Sequence, residues 1–245
     1  MPSASGVDRA SMSIVRIDRQ PPVRTVRLDA GPRNVLGLEA VHALRDALAP
    51  DPEAPVVVLS GRDDGFSAGL DGATLAAGGH AREALLAAMG EVLLAAFGGP
   101  TRIVSVCEGH AVAAGAMLLL VSDVRLGAPG RYKIGFTEPG LGMPLPELPA
   151  LLARARLDAR RVHALTVLGQ TVGPAEAVDA GFLDAVLDPG ALHAAATDRA
   201  HEIAKLSEAA YRGSLRSVWG PALARIETLV AEQNARRDAA QASDG

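Results

Sequence analysis

Cysteine, lysine and aromatic residues are scarce in this chain. A single cysteine, Cys107, excludes an internal disulfide, and after the apolar run Ile103-Val-Ser-Val106 it reads as a small buried hydrophobe. Lys133 and Lys205 are the only lysines, so positive charge is almost wholly arginine. The formal net charge of −4 gives no electrostatic case for a nucleic-acid partner. Aromatic residues make up 3% of the chain, which leaves Ala, Leu and Val, within a hydrophobic content of 49%, to fill the core. No uninterrupted apolar run is long enough to span a membrane, and no basic segment followed by an apolar stretch marks a secretory signal. The histidines at 42, 80, 110, 163, 193 and 201 are not paired with Cys or one another at metal-ligand spacing. The expectation is a soluble cytoplasmic protein with no metal, no membrane contact and no nucleic acid.

What is present fits one domain with a helical extension, since 245 residues is ordinary for a single core. Ile14, Arg16 and Val23 to Leu28 alternate apolar with polar around Pro21-Pro22, as two short strands do. After the turn Ala30-Gly-Pro-Arg-Asn34, the residues Leu38, Val41, Leu44 and Leu48 recur at helical spacing. Pro55 to Ser60 and Arg102 to Cys107 are continuous apolar runs of the kind buried on both faces of a sheet. A helix is expected from about Ala81 to Phe97 and an apolar one from Ala116 to Val121, with further strands at 123–126, 132–134 and 182–187. Pro174 to Gly181 has Pro at a helix start and Gly just past its end. Helices at 189–206, 208–218 and 221–239 close the chain, the last with Leu223, Ile226, Leu229 and Val230 as one apolar stripe, a packing face or a partner surface. Strands first and helices later indicate an α/β domain followed by a helical section.

Two glycine-containing loops carry the first chemical signal. Phe66-Ser-Ala-Gly-Leu-Asp71 follows one buried strand, and Gly109-His-Ala-Val-Ala-Ala-Gly115 follows the other; each precedes a helix. Small residues let a ligand approach the backbone, and peptide N–H groups at a helix start are unpaired donors. Two such loops can each direct one N–H at a shared oxygen, forming an oxyanion hole. Either loop alone is also what a tight turn in an alanine-rich core looks like. Asp71 reads as the cap of the helix after it. Ser67 has no Asp/His pair at a hydrolase spacing, and Asp63-Asp64 reads as a solvated turn.

These loops, with Asp123, then Gly135-Phe-Thr-Glu138 before Leu141-Gly142, and then Pro174-Ala-Glu-Ala-Val-Asp-Ala-Gly-Phe-Leu-Asp184, resemble the crotonase (enoyl-CoA hydratase/isomerase) superfamily. The resemblance runs from about Val23 to Leu187, and its most specific piece is the Phe66–Asp71 hexapeptide. It implies a crotonase-like spiral of β-β-α turns: a flexible tail at 1–12, a spiral core at 13–188 and a C-terminal helical oligomerisation section at 189–245. It also implies an acyl-CoA thioester substrate, a place in fatty-acid metabolism, no cofactor apart from the coenzyme A of the substrate, and a homotrimer or hexamer. Leu70 and Ala114 would supply the two N–H donors to the thioester carbonyl. Ala68, Gly69, Leu70, Asp71 and Gly72 would line the edge where coenzyme A passes. Arg24 and Arg33 are the candidates to meet its phosphates, against the plainer reading of solvated surface charge.

Hydratases of this superfamily use two glutamates. In this sequence the first position falls on Met117 and the second on Glu138. Glu138 stands in an apolar, Gly/Pro-rich stretch with no basic residue close by, which suggests a poorly hydrated carboxyl able to trade protons. Pro139 restricts its backbone. Water addition is most easily served by two groups, whereas one base can move a proton from C2 to C4 of an acyl thioester. The pattern is therefore similar to Δ3,Δ2-enoyl-CoA isomerases, with Thr137 and Met117 beside the substrate. A non-catalytic acyl-CoA-binding homologue, or another crotonase reaction (hydration, thioester hydrolysis, decarboxylation), is the alternative. His110 reads as packed or hydrogen-bonded, and Glu147 as turned away by Pro144 and Pro146.

Overall fold

The structure is a computed structural model that describes residues 14–62 and 65–243. The tail expected at 1–12 and the Asp63-Asp64 turn lie outside the described residues.

Strands β1 (Val15–Gln20) and β2 (Val23–Leu28) form an antiparallel hairpin around the cis Pro21–Pro22 bond. Beside β2 run β4 (Val56–Ser60), β7 (Arg102–Cys107), β9 (Val124–Gly127) and β11 (Ala185–Val186), all parallel, in a six-stranded sheet of order β1-β2-β4-β7-β9-β11. Every residue of β4 and β7 is buried, as expected of central strands covered on both faces. Of the 182–187 segment only Ala185–Val186 is strand.

The short pieces position the site. Strands β5 (Gly65–Ser67), β8 (His110–Val112) and β10 (Ile134–Gly135) form a separate three-stranded parallel sheet of order β10-β8-β5. A two-stranded pair joins β3 (Val35–Leu36) to β6 (Gly69–Leu70). Helices α1 (Leu38–Ala47), α2 (Gly72–Ala77), α3 (Gly79–Gly98) and α4 (Ala114–Leu120) alternate with these strands. Then follow α5 (Glu147–Arg156), α6 (Val162–Thr166), α7 (Pro174–Ala180), α8 (Pro189–Ala204) and α9 (Glu208–Ser243).

Two expectations change, and one alternative is resolved. The break expected near Pro221 is absent: α9 is one 36-residue helix with Pro221 inside it. An interior proline costs roughly 3 kcal/mol, but both sides of Pro221 are held to the same neighbour. Trp219 packs on Phe97 of α3 with ring centroids 6.0 Å apart, and Leu223 meets Gly98 of α3 so closely that a Cβ there would lie 2.8 Å from its Cδ2. The apolar stripe of Leu223, Ile226 and Val230 is buried against its own chain, with Leu229 partly buried beside it. Arg24 is not a surface charge. Its side chain is 4% exposed and donates to the carbonyls of Ala47, Ala49 and Ala54, tying the end of α1 to the turn before β4. No helix among the described residues is long and apolar enough to cross a membrane.

Candidate active site

In a parallel sheet all C-terminal strand ends lie on one edge, and backbone groups there are free to meet a ligand. The β10-β8-β5 sheet uses this to gather residues far apart in sequence. Ser67 pairs with Ala111, and Gly135 pairs with Val112, so the three strands end within one residue of one another. Ala68 to Leu70 follow β5, Ala113 and Ala114 follow β8, and Phe136 to Glu138 follow β10. One edge therefore collects all three segments singled out by the sequence.

The two glycine-containing loops touch. Gly69 has φ +94°, and a Cβ on it would lie 2.9 Å from the Ala113 Cβ and 3.3 Å from the Ala114 nitrogen. Gly115 is pressed against the first loop, where a Cβ would lie 2.3 Å from the Ser67 carbonyl oxygen. Ala113 adopts φ +51°, which an L side chain rarely does. Its N–H continues the β8–β10 ladder by donating to the Gly135 carbonyl at 3.0 Å, and the chain turns from there into α4. Ala114 opens α4, and its N–H is among the helix's first four, which have no intrahelical acceptor. Leu70 lies half-buried beside it in β6.

Glu138 leaves β10 and enters a short 3₁₀ turn at Pro139–Leu141, where proline suits the first position. Its backbone is helical (φ −53°, ψ −48°) although a residue before proline prefers to be extended. Its carbonyl accepts from the N–H groups of Leu141 and Met143, both at 3.0 Å, which holds that conformation. The side chain is half-buried and its Oε2 is buried without a hydrogen-bond partner. Burial raises the carboxyl above its ordinary value of 4.5, while the main-chain N–H groups of Glu138 and Thr137 pull weakly the other way. An unpartnered buried carboxylate oxygen is costly, and it is what a proton acceptor awaiting a substrate requires.

The remaining predicted residues fall as follows. Met117 is 9% exposed, one turn into α4. Asp71 caps α2 by accepting from the Ala73 and Thr74 N–H groups and the Thr74 hydroxyl, which hold its carboxyl below the usual range. Ala68 is half-buried and Gly72 exposed at the start of α2, while Thr137 is half-buried between β10 and Glu138. Glu147 pairs with Arg225 at 2.7 Å, turned to α9. His110 is exposed, with its Nδ1 accepting from the Lys133 N–H. Burial pushes the Cys107 thiol up to about 12, leaving it inert. Exposed Arg33 borders the Ala68 edge, its carbonyl accepting from the Ala68 N–H at 2.9 Å. Among the described residues no group of three or more His, Cys, Asp or Glu could hold a metal ion.

Sequence reasoning missed Asn34. It is fully buried, its amide nitrogen donates to the carbonyls of Leu28 (2.9 Å), Phe66 (3.2 Å) and Gly65 (3.3 Å), and its Oδ1 accepts from the Ala30 N–H. The only sequence signal was an asparagine in a glycine–proline turn, where it tolerates positive φ.

Comparison with known proteins agrees with this geometry. The family described as enoyl-CoA hydratase/isomerase matches residues 18–238. A Thermus thermophilus protein, provisionally named an enoyl-CoA hydratase, is 30% identical over 176 residues, covering 69% of this chain and 68% of that one. The enoyl-CoA hydratase of Mycobacterium ulcerans superposes with a TM-score of 0.85 at 28% identity, covering 91% of this chain and 98% of that one. An apo enoyl-CoA isomerase of Mtb superposes with a TM-score of 0.81 at 26% identity, covering 91% and 98%. The expected fold class, a crotonase-like α/β core with C-terminal helices, therefore holds.

Proposed function

The chain belongs to the enoyl-CoA hydratase/isomerase family, and on that premise we propose that it is an enoyl-CoA isomerase, moving a C3 double bond of an acyl-CoA thioester to C2. The thioester oxygen would sit between the N–H groups of Leu70 and Ala114. Glu138 as carboxylate takes a proton from C2; the pair of electrons released forms the dienolate, whose charge rests on that oxygen. The same carboxyl then returns the proton to C4, and the double bond is conjugated with the carbonyl. No atom is gained or lost, and the chemistry calls for no cofactor beyond the coenzyme A of the substrate. Each N–H donor to the oxyanion is worth on the order of 3 kcal/mol in such sites.

The observation that carries this reading is Glu138 Oε2, buried and without a partner at the edge shared with both donor loops. Apolar Met117 at the position of the other family carboxylate supports one-base chemistry over water addition, since a thioether neither delivers nor accepts a proton at neutral pH. A lone carboxylate raised by burial suits repeated uptake and release of a proton.

The test incubates 3-enoyl-CoA and 2-enoyl-CoA separately and follows products by chromatography and mass. Conversion of the first into the second at unchanged mass is expected. Addition of the mass of water, or release of free coenzyme A, as the main outcome would overturn the isomerase assignment, and binding without any turnover would favour a non-catalytic acyl-CoA-binding protein. The proposed assembly is a homotrimer or hexamer. Because the α9 stripe is covered by α3, its support is the exposed apolar set of Leu141, Met143, Val167 and Leu168; sedimentation of the purified chain reads it directly.

A further inference from the structure

Backbone donors can stabilise an oxyanion only if they are held in place before charge develops, so whatever immobilises the loops after β5 and β8 contributes to the rate. Leu70 carries no side-chain anchor of its own for its N–H. Its orientation is set through the backbone of residues 65–71, and that backbone is tied down by one continuous polar chain. Asn34, wholly buried at φ +48°, donates to the Gly65 and Phe66 carbonyls. The Ser67 hydroxyl, also wholly buried, donates to the Asn34 carbonyl at 2.8 Å and accepts from the Gly69 N–H at 3.1 Å. Between them the Ala68 N–H reaches the Arg33 carbonyl, and beyond them the Asp71 N–H reaches the Leu36 carbonyl, both at 2.9 Å. Five contacts thus tie the backbone before and after Leu70 to the Arg33–Leu36 segment.

The same cluster meets the other donor. Gly115, the residue after Ala114, leaves no room for a Cβ: one there would lie 2.3 Å from the Ser67 carbonyl oxygen and 3.0 Å from the Ser67 Cβ. Displacing Ser67 therefore displaces the contact surface on which the start of α4 rests.

We propose that Asn34 and Ser67 are positioning residues for the oxyanion hole, holding the Leu70 N–H in donor orientation through Gly69 and registering the Ala114 N–H against it through Gly115. This rests on the acyl-CoA reading above but not on Glu138 being an isomerase base. Neither side chain touches substrate: both are fully buried and spend their polar atoms on backbone groups. The inference accounts for a serine in the hexapeptide that has no hydrolase partner, and for an asparagine held in a conformation most side chains avoid.

Acetoacetyl-CoA supplies the probe, because its C2 proton is acidic and its enolate absorbs in the near ultraviolet. An oxyanion hole stabilises the bound enolate and lowers the apparent pKa of that C2–H, with no need for turnover. The wild-type chain, Ser67→Ala and Asn34→Gly are saturated with acetoacetyl-CoA and titrated by absorbance, alongside Ser105→Ala. Ser105 is equally buried and hydrogen-bonded to Ser122, in the central sheet. Ser67→Ala is expected to raise the bound C2–H pKa by about one unit, a tenfold loss of enolate stabilisation, with coenzyme A affinity nearly unchanged. Ser105→Ala should lower the melting temperature without moving that pKa. An unmoved pKa in Ser67→Ala overturns the proposal, as does an equal shift in Ser105→Ala. Should Asn34→Gly fail to fold, Ser67→Ala, which removes one oxygen, decides alone. If the wild-type chain lowers the pKa of the bound probe no further than water does, the oxyanion reading falls and takes the positioning roles with it. If the wild-type chain stabilises the enolate but does not isomerise 3-enoyl-CoA, only the isomerase assignment falls.

Discussion

Two partly buried carboxylates, Asp123 and Glu138, meet the same kind of penalty and end in opposite states of hydrogen bonding. Burial raises both above the ordinary carboxyl range. Asp123 is fully occupied: Oδ2 accepts from the Ile103 N–H at 2.8 Å and Oδ1 from the Tyr211 hydroxyl at 2.9 Å, with Arg102 and Arg156 close enough to favour its charge. It joins β7 to the first turns of α9, and Tyr211, Leu215 and Trp219 of that helix line the groove beside it. Glu138 Oε2 has no donor and no cation. Desolvation therefore does not distinguish the proposed proton acceptor from a structural carboxylate; the number of partners already present does.

The largest test of that contrast exchanges each carboxylate for its amide. Glu138→Gln is expected to lower kcat for 3-enoyl-CoA isomerisation by about 10³-fold, within the range for losing a general base, while acyl-CoA binding persists. Asp123→Asn should leave kcat within about threefold, since it acts on no reacting atom. Steady-state rates on both variants check this, and undiminished turnover in Glu138→Gln would remove Glu138 from the mechanism.

On stability the order reverses. Asp123→Ala leaves the Ile103 N–H and the Tyr211 hydroxyl without acceptors and should cost about 3 kcal/mol in urea denaturation. Tyr211→Phe removes one of those bonds and should cost about 1 kcal/mol with turnover intact. A Tyr211→Phe chain as destabilised as Asp123→Ala would mean that the two oxygens of Asp123 do not act separately.

The smallest expected effect is a pH dependence. The folded-state pKa of Glu138 is raised above its ordinary 4.5, so the stability linked to its neutral form is fully present below about 4.5 and lost as pH rises through the folded value. Glu138→Gln, neutral throughout, should gain stability relative to the wild-type chain as pH climbs from 4 toward 7 and match it at the acid end. Melting curves across that interval test the sign. The base must be ionised to act, so the acid limb of kcat/KM should lie above the ordinary carboxyl value.

Much of this is legible in the order of residues alone. The Asp71 cap, the buried runs at 56–60 and 102–107, the Pro174–Gly181 helix and the two donor loops all lie where local pattern puts them. Glu138 itself stands out because its neighbours are apolar and uncharged. Arg24 misleads because an arginine in an alternating strand looks solvated, and only three carbonyls from 47–54, with the Asp51 carboxylate 3.7 Å away, make its burial tolerable. The continuity of α9 is hidden because proline's local preference is real and is overridden by α3 on either side of it.

By itself the sequence determined the central buried strands, most of the long helices and their caps, and which residues can offer a free N–H or a poorly hydrated carboxyl. Those properties depend on side-chain periodicity, capping groups and backbone freedom within a few residues. Only the tertiary structure decided that β5, β8 and β10 end on one edge, that Asn34 and Ser67 clamp the first donor loop, and that Asp123 is saturated while Glu138 is not. Each of those depends on partners distant in sequence, because whether a polar atom is satisfied is settled by what the fold brings to it.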